Sequence, residues 1–209
     1  MIISAPRRIS SKKVLAVEGK DEKYFFDKLL KYLSINDIQI EDIGGKGEFP
    51  KQLPALLKTP GFFDVDGSPL VTHFAIIRDK DQDEAFISIK NIVSKEGLIP
   101  PSDQSVFSDG NPKIGIFVMP GQTVEGTMLE DLCLKTVENH SAMKCVDEFT
   151  SCILDLENKP KNISKAKAQA FLAAQSEIVN SIGLGAQKNY WNFDSPALNE
   201  LKQFLSLLK

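Results

Sequence analysis

Apolar residues fall into four short runs, each closed by glycine or acidic residues, and between the runs they recur at helical spacing. The first run, Val14-Leu15-Ala16-Val17, is followed at once by Glu18-Gly19-Lys20-Asp21. From Glu22 the period changes. Phe25, Leu29 and Tyr32 form one stripe, with Phe26, Leu30 and Leu33 beside it, which predicts an amphipathic helix. A second strand is expected over 37–43, closed by Gly44-Gly45-Lys46-Gly47, and a helix runs from Glu48 or Phe49 toward Lys58. After a loop from Gly61 to Pro69, the third run ends Ile76-Ile77-Arg78-Asp79-Lys80-Asp81. Its apolar part is short and continuous, as in a parallel strand covered on both faces, so a strand is expected over 71–78. A helix follows from Glu84 to Lys95, then an irregular stretch with one extended piece at Val106-Phe107. The fourth strand, 113–119, stops at Pro120-Gly121, and Thr127 to Leu134 reads as a helix.

Strand and helix thus alternate four times, the pattern of a right-handed, parallel α/β sheet. Beyond Glu138 only helical periodicity remains, with helices expected near His140–Leu156, Ser164–Ile182 and Ser195–Leu208. The expected division is an α/β core over residues 1–137 and a helical C-terminal extension over 138–209, packed on that core. In open parallel sheets, ligands bind outside the carboxyl ends of the strands. Here those ends carry Glu18, the Gly44–Gly47 loop, Asp79 with Asp81, and Glu125 with Glu130 just beyond. Asp79 and Asp81 are two residues apart, so continued strand geometry sends both carboxylates to one side. Two hard oxygen ligands placed so closely suit Mg²⁺. Each acidic group has a plainer reading on its own. Asp79 and Asp81 fit a solvated turn; Asp21 and Glu22, a helix N-terminus; Glu130, a first-turn helix carboxylate. Carboxylates from two separate strands converging on one edge repel, and a divalent cation relieves that repulsion.

Composition narrows the picture. The chain has 209 residues, of which 42% are apolar, enough for one sizeable core. A net charge of −3 argues against a broad surface that coats nucleic acid, though not against a local basic groove. No apolar run is long enough to span a bilayer, and Met1–Lys13 has no signal-peptide core, so a cytoplasmic protein is expected. Cys133, Cys145 and Cys152 lack CxxC spacing and are expected to be packed free thiols.

The Val17-Glu18-Gly19-Lys20-Asp21 segment after the first strand, with Asp79-Lys80-Asp81 after the third, resembles the Toprim domain. Topoisomerases, bacterial primases, OLD nucleases and the ribonuclease that matures 5S ribosomal RNA share that domain. The likeness is strongest to stand-alone Toprim-like proteins of the DUF3226 type. Gly126-Thr127-Met128-Leu129-Glu130-Asp131 and Ser164-Lys165-Ala166 carry that narrower resemblance. The Toprim likeness covers roughly residues 12–135, and the narrower one extends more loosely to the end. It implies a Toprim-like (Rossmann-like) four-stranded parallel sheet flanked by helices. It also implies Glu18 as general acid or base and Asp79 with Asp81 as ligands of Mg²⁺ or Mn²⁺. The chain departs from the family pattern in carrying Lys80 between the aspartates and Glu84 where a glycine is usual.

On this reading the chemistry is metal-dependent phosphodiester hydrolysis on DNA or RNA, with Glu130, or else Glu125, completing a second metal site. Gly19, Lys20, Lys46 and Lys165 are the candidates for phosphate or nucleic-acid binding. The Gly-rich loop lacks the full P-loop pattern, so a plain turn is the alternative. Lys161 and Lys165 are expected on one helix face, near Lys159 and Lys167, where a solvated face is the ordinary reading. His73 and His140 read as structural, and Tyr190-Trp191-Asn192-Phe193 as a loop pinning the last helix rather than a base-stacking platform. The rival function is a non-catalytic Toprim-like module that binds nucleic acid, a nucleotide or a protein partner. An aspartyl-phosphate phosphatase would carry its Asp pair after the first strand, where this chain has Glu18.

Overall fold

The structure, a computed structural model, describes residues 7–80 and 84–209. Four strands, β1 (Lys13–Val17), β2 (Ile38–Asp42), β3 (His73–Asp79) and β4 (Lys113–Met119), form one parallel sheet in the order β2-β1-β3-β4. Lys13 pairs with Ile38 on one side and His73 on the other, and His73 pairs in turn with Lys113. This common register brings the carboxyl ends of β1 and β3, the two central strands, to one edge. Among the described residues no helix is long and apolar enough to cross a membrane.

Alternation along the strands divides the core between the two faces. Val14, Ala16, Phe74, Ile76, Ile114 and Ile116 join Phe49, Leu53 and Leu56 of helix α2 (Phe49–Leu57) and Ile89 and Val93 of helix α3 (Ala85–Lys95). Leu15, Val17, Ala75, Ile77 and Phe117 join Phe25, Phe26 and Leu29 of helix α1 (Lys20–Tyr32) on the other side. That second cluster continues into α4 (Leu129–Thr136), α5 (Met143–Leu154), α6 (Ile163–Ala173), α7 (Ile182–Gln187) and α8 (Asn199–Ser206). The C-terminal helices therefore share a core with α1 and one sheet face. Phe171, Trp191 and Phe204 contribute their rings to it, each worth about 2–3 kcal/mol in burial.

Two parts differ from expectation. The helix expected over Ser164–Ile182 stops early, at Ala173, as α6, and a separate helix, α7, starts at Ile182 where the expected one was to end. Asp21, in the first turn of α1, accepts hydrogen bonds from Ile182 N (3.0 Å) and Gly183 N (2.7 Å), and Ser181 Oγ accepts from Leu184 N. These bonds satisfy the open N–H groups of a new helix start. Glycine is required at 183, because a Cβ there would lie 2.4 Å from the Asp21 carbonyl oxygen. The cysteines also differ. Cys133 is buried, but Cys145 and Cys152 are exposed on α5, which turns other residues toward the core. The extended piece at Phe107 makes a single antiparallel bridge to Gly115.

Candidate functional site

The site begins where β1 ends. Extending the register of Ala16 with Ile76 puts Glu18 level with Arg78, one residue short of Asp79. The loop after β2 holds this turn, with Ile43 N donating to Val17 O (2.8 Å) and Gly45 N to Glu18 O (2.7 Å). Gly44 and Gly45 have φ of +90° and +105°, a left-handed path that glycine takes without steric penalty. Gly45 thus spends its N–H on the Glu18 backbone rather than offering it to a phosphate. Gly19 then caps α1, and Glu22, four residues after Glu18, lies in its first turn. Side chains on a helix lean toward its N-terminus, so Glu22 returns to the same edge.

Carboxylate oxygens of Glu18, Glu22 and Asp79 lie within 4.8 Å of one another. Asp79 is anchored from a fourth element, as its Oδ1 accepts from Leu129 N at 3.0 Å, at the start of α4. Asp131 organises that start by accepting from Thr127 N (2.8 Å) and Met128 N (3.2 Å). Glu130 is the next residue along, and its Oε1 lies 3.7 Å from Lys165 Nζ. Burial, and then the charges of Glu18, Glu130 and Glu22, push the Asp79 carboxyl up to about 8, against the opposing hydrogen bond from Leu129. Burial also raises Glu22 and Glu130 above the usual carboxylate range. Without a cation, such a group gives up its proton only at the expense of folding free energy. A hard divalent ion, which prefers carboxylate oxygen and water, matches this donor set.

A family model described as a protein of unknown function, DUF3226, matches residues 12–209. The chain belongs to the DUF3226 family. Among solved structures, the C-terminal region of the Xanthomonas campestris pv. campestris OLD protein, phased with iodine, is similar at 15% identity and a TM-score of 0.40. That match covers 95% of this chain and 96% of the other. The same region phased with platinum gives 15% identity and a TM-score of 0.38, over 94% and 95% of the two chains. No curated protein matches. At such identities and scores, residue roles do not transfer from one chain to the other.

In this DUF3226 chain the sequence candidates fall into four groups. Glu18 and Asp79 come together, joined by Glu22. Glu130 is close enough to raise Asp79 but is not one of the three mutually close carboxylates. Asp81 and the side chain of Lys46 lie outside the described residues. Gly19 and Lys20 form the β1–α1 turn, with Lys20 exposed, and Lys165 reaches the site through Glu130. Lys80, also exposed, lines a neighbouring cleft with Glu84 and Gln122. From sequence alone Glu22 reads as a helix-dipole carboxylate. Its spacing of four from Glu18, across a glycine turn, was the available signal.

Other expectations are settled by contacts. Lys161 precedes α6, whose N-cap is Asn162, so it shares no helix face with Lys165. Lys167 is engaged by Asp147 at 2.5 Å. Trp191 is buried, stacks on Phe171 at 5.2 Å and donates Nε1–H to Ile182 O, while Phe193 packs edge-on against Phe25. These two rings pin the loop and are closed to bases. His140 Nδ1 accepts from Ala142 N, and its ring meets Phe171 edge-on. His73 starts β3, at the edge opposite the acidic cluster, and burial together with Lys113 and Lys13 lowers its pKa.

Proposed function

We propose that the protein is a Toprim-like, divalent-metal-dependent enzyme of phosphodiester hydrolysis, acting on DNA or RNA. The convergence of Glu18, Glu22 and Asp79 within 4.8 Å, at the carboxyl edge of a parallel sheet, carries this reading. The donor set fits Mg²⁺ or Mn²⁺, with Asp79, Glu22 and Asp81 as the residues that would hold the ion. When bound, the ion would supply Lewis-acid stabilisation of the charge that develops on the phosphate oxygens. Glu18 takes a proton from the attacking water or returns one to the leaving oxygen. Leu129 N–H fixes one oxygen of Asp79 and so orients the other. Lys20 and Lys165 supply positive charge beside the cluster for the phosphate backbone. The reading includes the division of the chain near residue 137 and a cytoplasmic location, the latter consistent with three free thiols.

One observation favours the second reading, a non-catalytic Toprim-like module binding nucleic acid, a nucleotide or a protein. Glu130, the carboxylate that would complete a second metal site, already has Lys165 beside it. The deciding experiment incubates the purified chain with single- and double-stranded DNA and RNA in Mg²⁺ or Mn²⁺. Cleavage by the wild type that is lost in Glu18→Gln and Asp79→Asn supports the enzyme. Cleavage that survives Asp79→Asn refutes the site. Thermal stabilisation by Mg²⁺ without cleavage of any substrate selects the binding module.

A further inference from the structure

Helix α5 carries an apolar face wider than its own chain covers. Met143, Val146, Thr150 and Ile153 are buried. Beside them run Cys145, Phe149 and Cys152, at spacings of four and three, and Leu156 continues the row just past the helix end. All four are exposed, with Phe149 at 48% and Leu156 at 52%. At 100° per residue this row is centred about 110° from the buried one, and the remaining arc holds Lys144, Asp147, Glu148, Ser151 and Asp155, with the exposed Leu154 at its border with the buried row. Alternating steps of three and four are the spacing of a helix-to-helix seam. A single exposed apolar side chain is ordinary, whereas a continuous row along one helix edge marks a contact surface.

Charge selects the occupant. Lys144 lies at the N-terminal end of α5, Asp155 and Glu157 lie at its C-terminal end, and Glu148 lies between. Among the described residues none of these four has an ion-pair partner in the chain, whereas Asp147 is held by Lys167. We propose that the Cys145–Phe149–Cys152–Leu156 row is a self-association surface on which α5 of a second copy lies antiparallel, about a twofold axis. Phe149 of each copy then packs against Cys152 of the other, and Cys145 against Leu156. Lys144 of each copy meets Asp155 and Glu157 of the other, and the helix dipoles oppose. A parallel pair would instead gather both Lys144 at one end and all the acids at the other, and would align the helix dipoles. The contact is small, so the dimer is of the weak, reversible class. It depends on α5 alone and is independent of the reading of the acidic cluster.

Analytical ultracentrifugation of the full chain, in reducing buffer so that no disulfide contributes, tests the proposal. Wild type is expected to pass from monomer to dimer between about 1 and about 100 μM. Phe149→Glu should weaken the dimer at least about tenfold, with an unchanged circular-dichroism spectrum. Lys144→Glu should also weaken it, and the charge swap Lys144→Glu with Asp155→Lys and Glu157→Lys should restore it. A wild type that stays monomeric across the range overturns the proposal. So does a dimer indifferent to Phe149→Glu, or a folded charge-swap protein that fails to recover.

Discussion

Asp79→Asn should make the metal-free protein more stable at neutral pH, and the size of the gain follows from the position of the side chain. The carboxyl titrates at 3.8 when unperturbed and at about 8 in the folded chain. The folded state thus holds its proton more tightly than the unfolded state does. Stability is fully present below 3.8, falls as pH rises toward 8, and levels off above it. The slope for one such group is about 1.4 kcal/mol per pH unit, so the loss at pH 7 approaches about 4 kcal/mol. In a domain of this size, that corresponds to about 8–16 °C in melting temperature. Asparagine keeps an oxygen to accept from Leu129 N, carries no titrating proton, and can donate its N–H to Glu18 or Glu22. Thermal unfolding by circular dichroism, in chelator and at constant ionic strength between about pH 4.5 and 8.5, reads the difference. The wild-type and mutant curves should converge at the acid end and separate steadily above it. Glu22 and Glu130, also raised, leave a residual slope in both proteins. Parallel curves, or a mutant that melts below wild type at neutral pH, would refute the reasoning.

Three further outcomes are expected. Mg²⁺ at a hundredfold excess over its dissociation constant should stabilise wild type by about 2.7 kcal/mol, since only the folded chain gathers the ligands, and Asp79→Asn should abolish the response. Asp21→Ala leaves Ile182 N and Gly183 N without their acceptor and should cost about 1–3 kcal/mol in denaturant unfolding, with faster amide exchange at the start of α7. Lys165→Glu should reduce binding of a single-stranded oligonucleotide and flatten its salt dependence by about one phosphate contact; unchanged binding at every ionic strength would make Lys165 an ordinary surface residue.

The sheet was legible because its signal is local. Val14–Val17 and Ile114–Met119 are continuous buried runs, and the strand expected over 113–119 is β4 to the residue. β3 begins at His73 rather than at 71, since Thr72 N is already bonded to Lys12 O ahead of the ladder. The C-terminal helices were less legible because distant residues set their ends. Nothing between 174 and 182 announces that Asp21, on α1, will accept from the N–H groups of a new helix. Likewise the spacing of Cys145 and Cys152 puts them on one side of α5, but which side faces inward depends on what α5 packs against. At the site, Glu18 and Asp79 were visible as strand ends. Glu22 was hidden by its second plausible job at a helix start.

What holds the acidic cluster together also bears on what it is for. The Leu129 N–H brings the positive end of α4 to Asp79, and Lys165 draws on Glu130. Burial and then repulsion still push Asp79 up to about 8, so these contacts offset them only in part. A neutral or apolar residue at 79 would relieve the strain without disturbing β3, whose other residues already fill both cores. The half-buried carboxylates therefore reduce the stability of the metal-free chain, and stability cannot be the reason they are gathered. The glycine turn at Gly44–Gly45, the return of Glu22 and the anchoring of Asp79 all act to place negative charge on one small edge. Such an arrangement is accounted for by a ligand that brings positive charge to that edge, and a hard divalent ion is the ligand its oxygen donors suit.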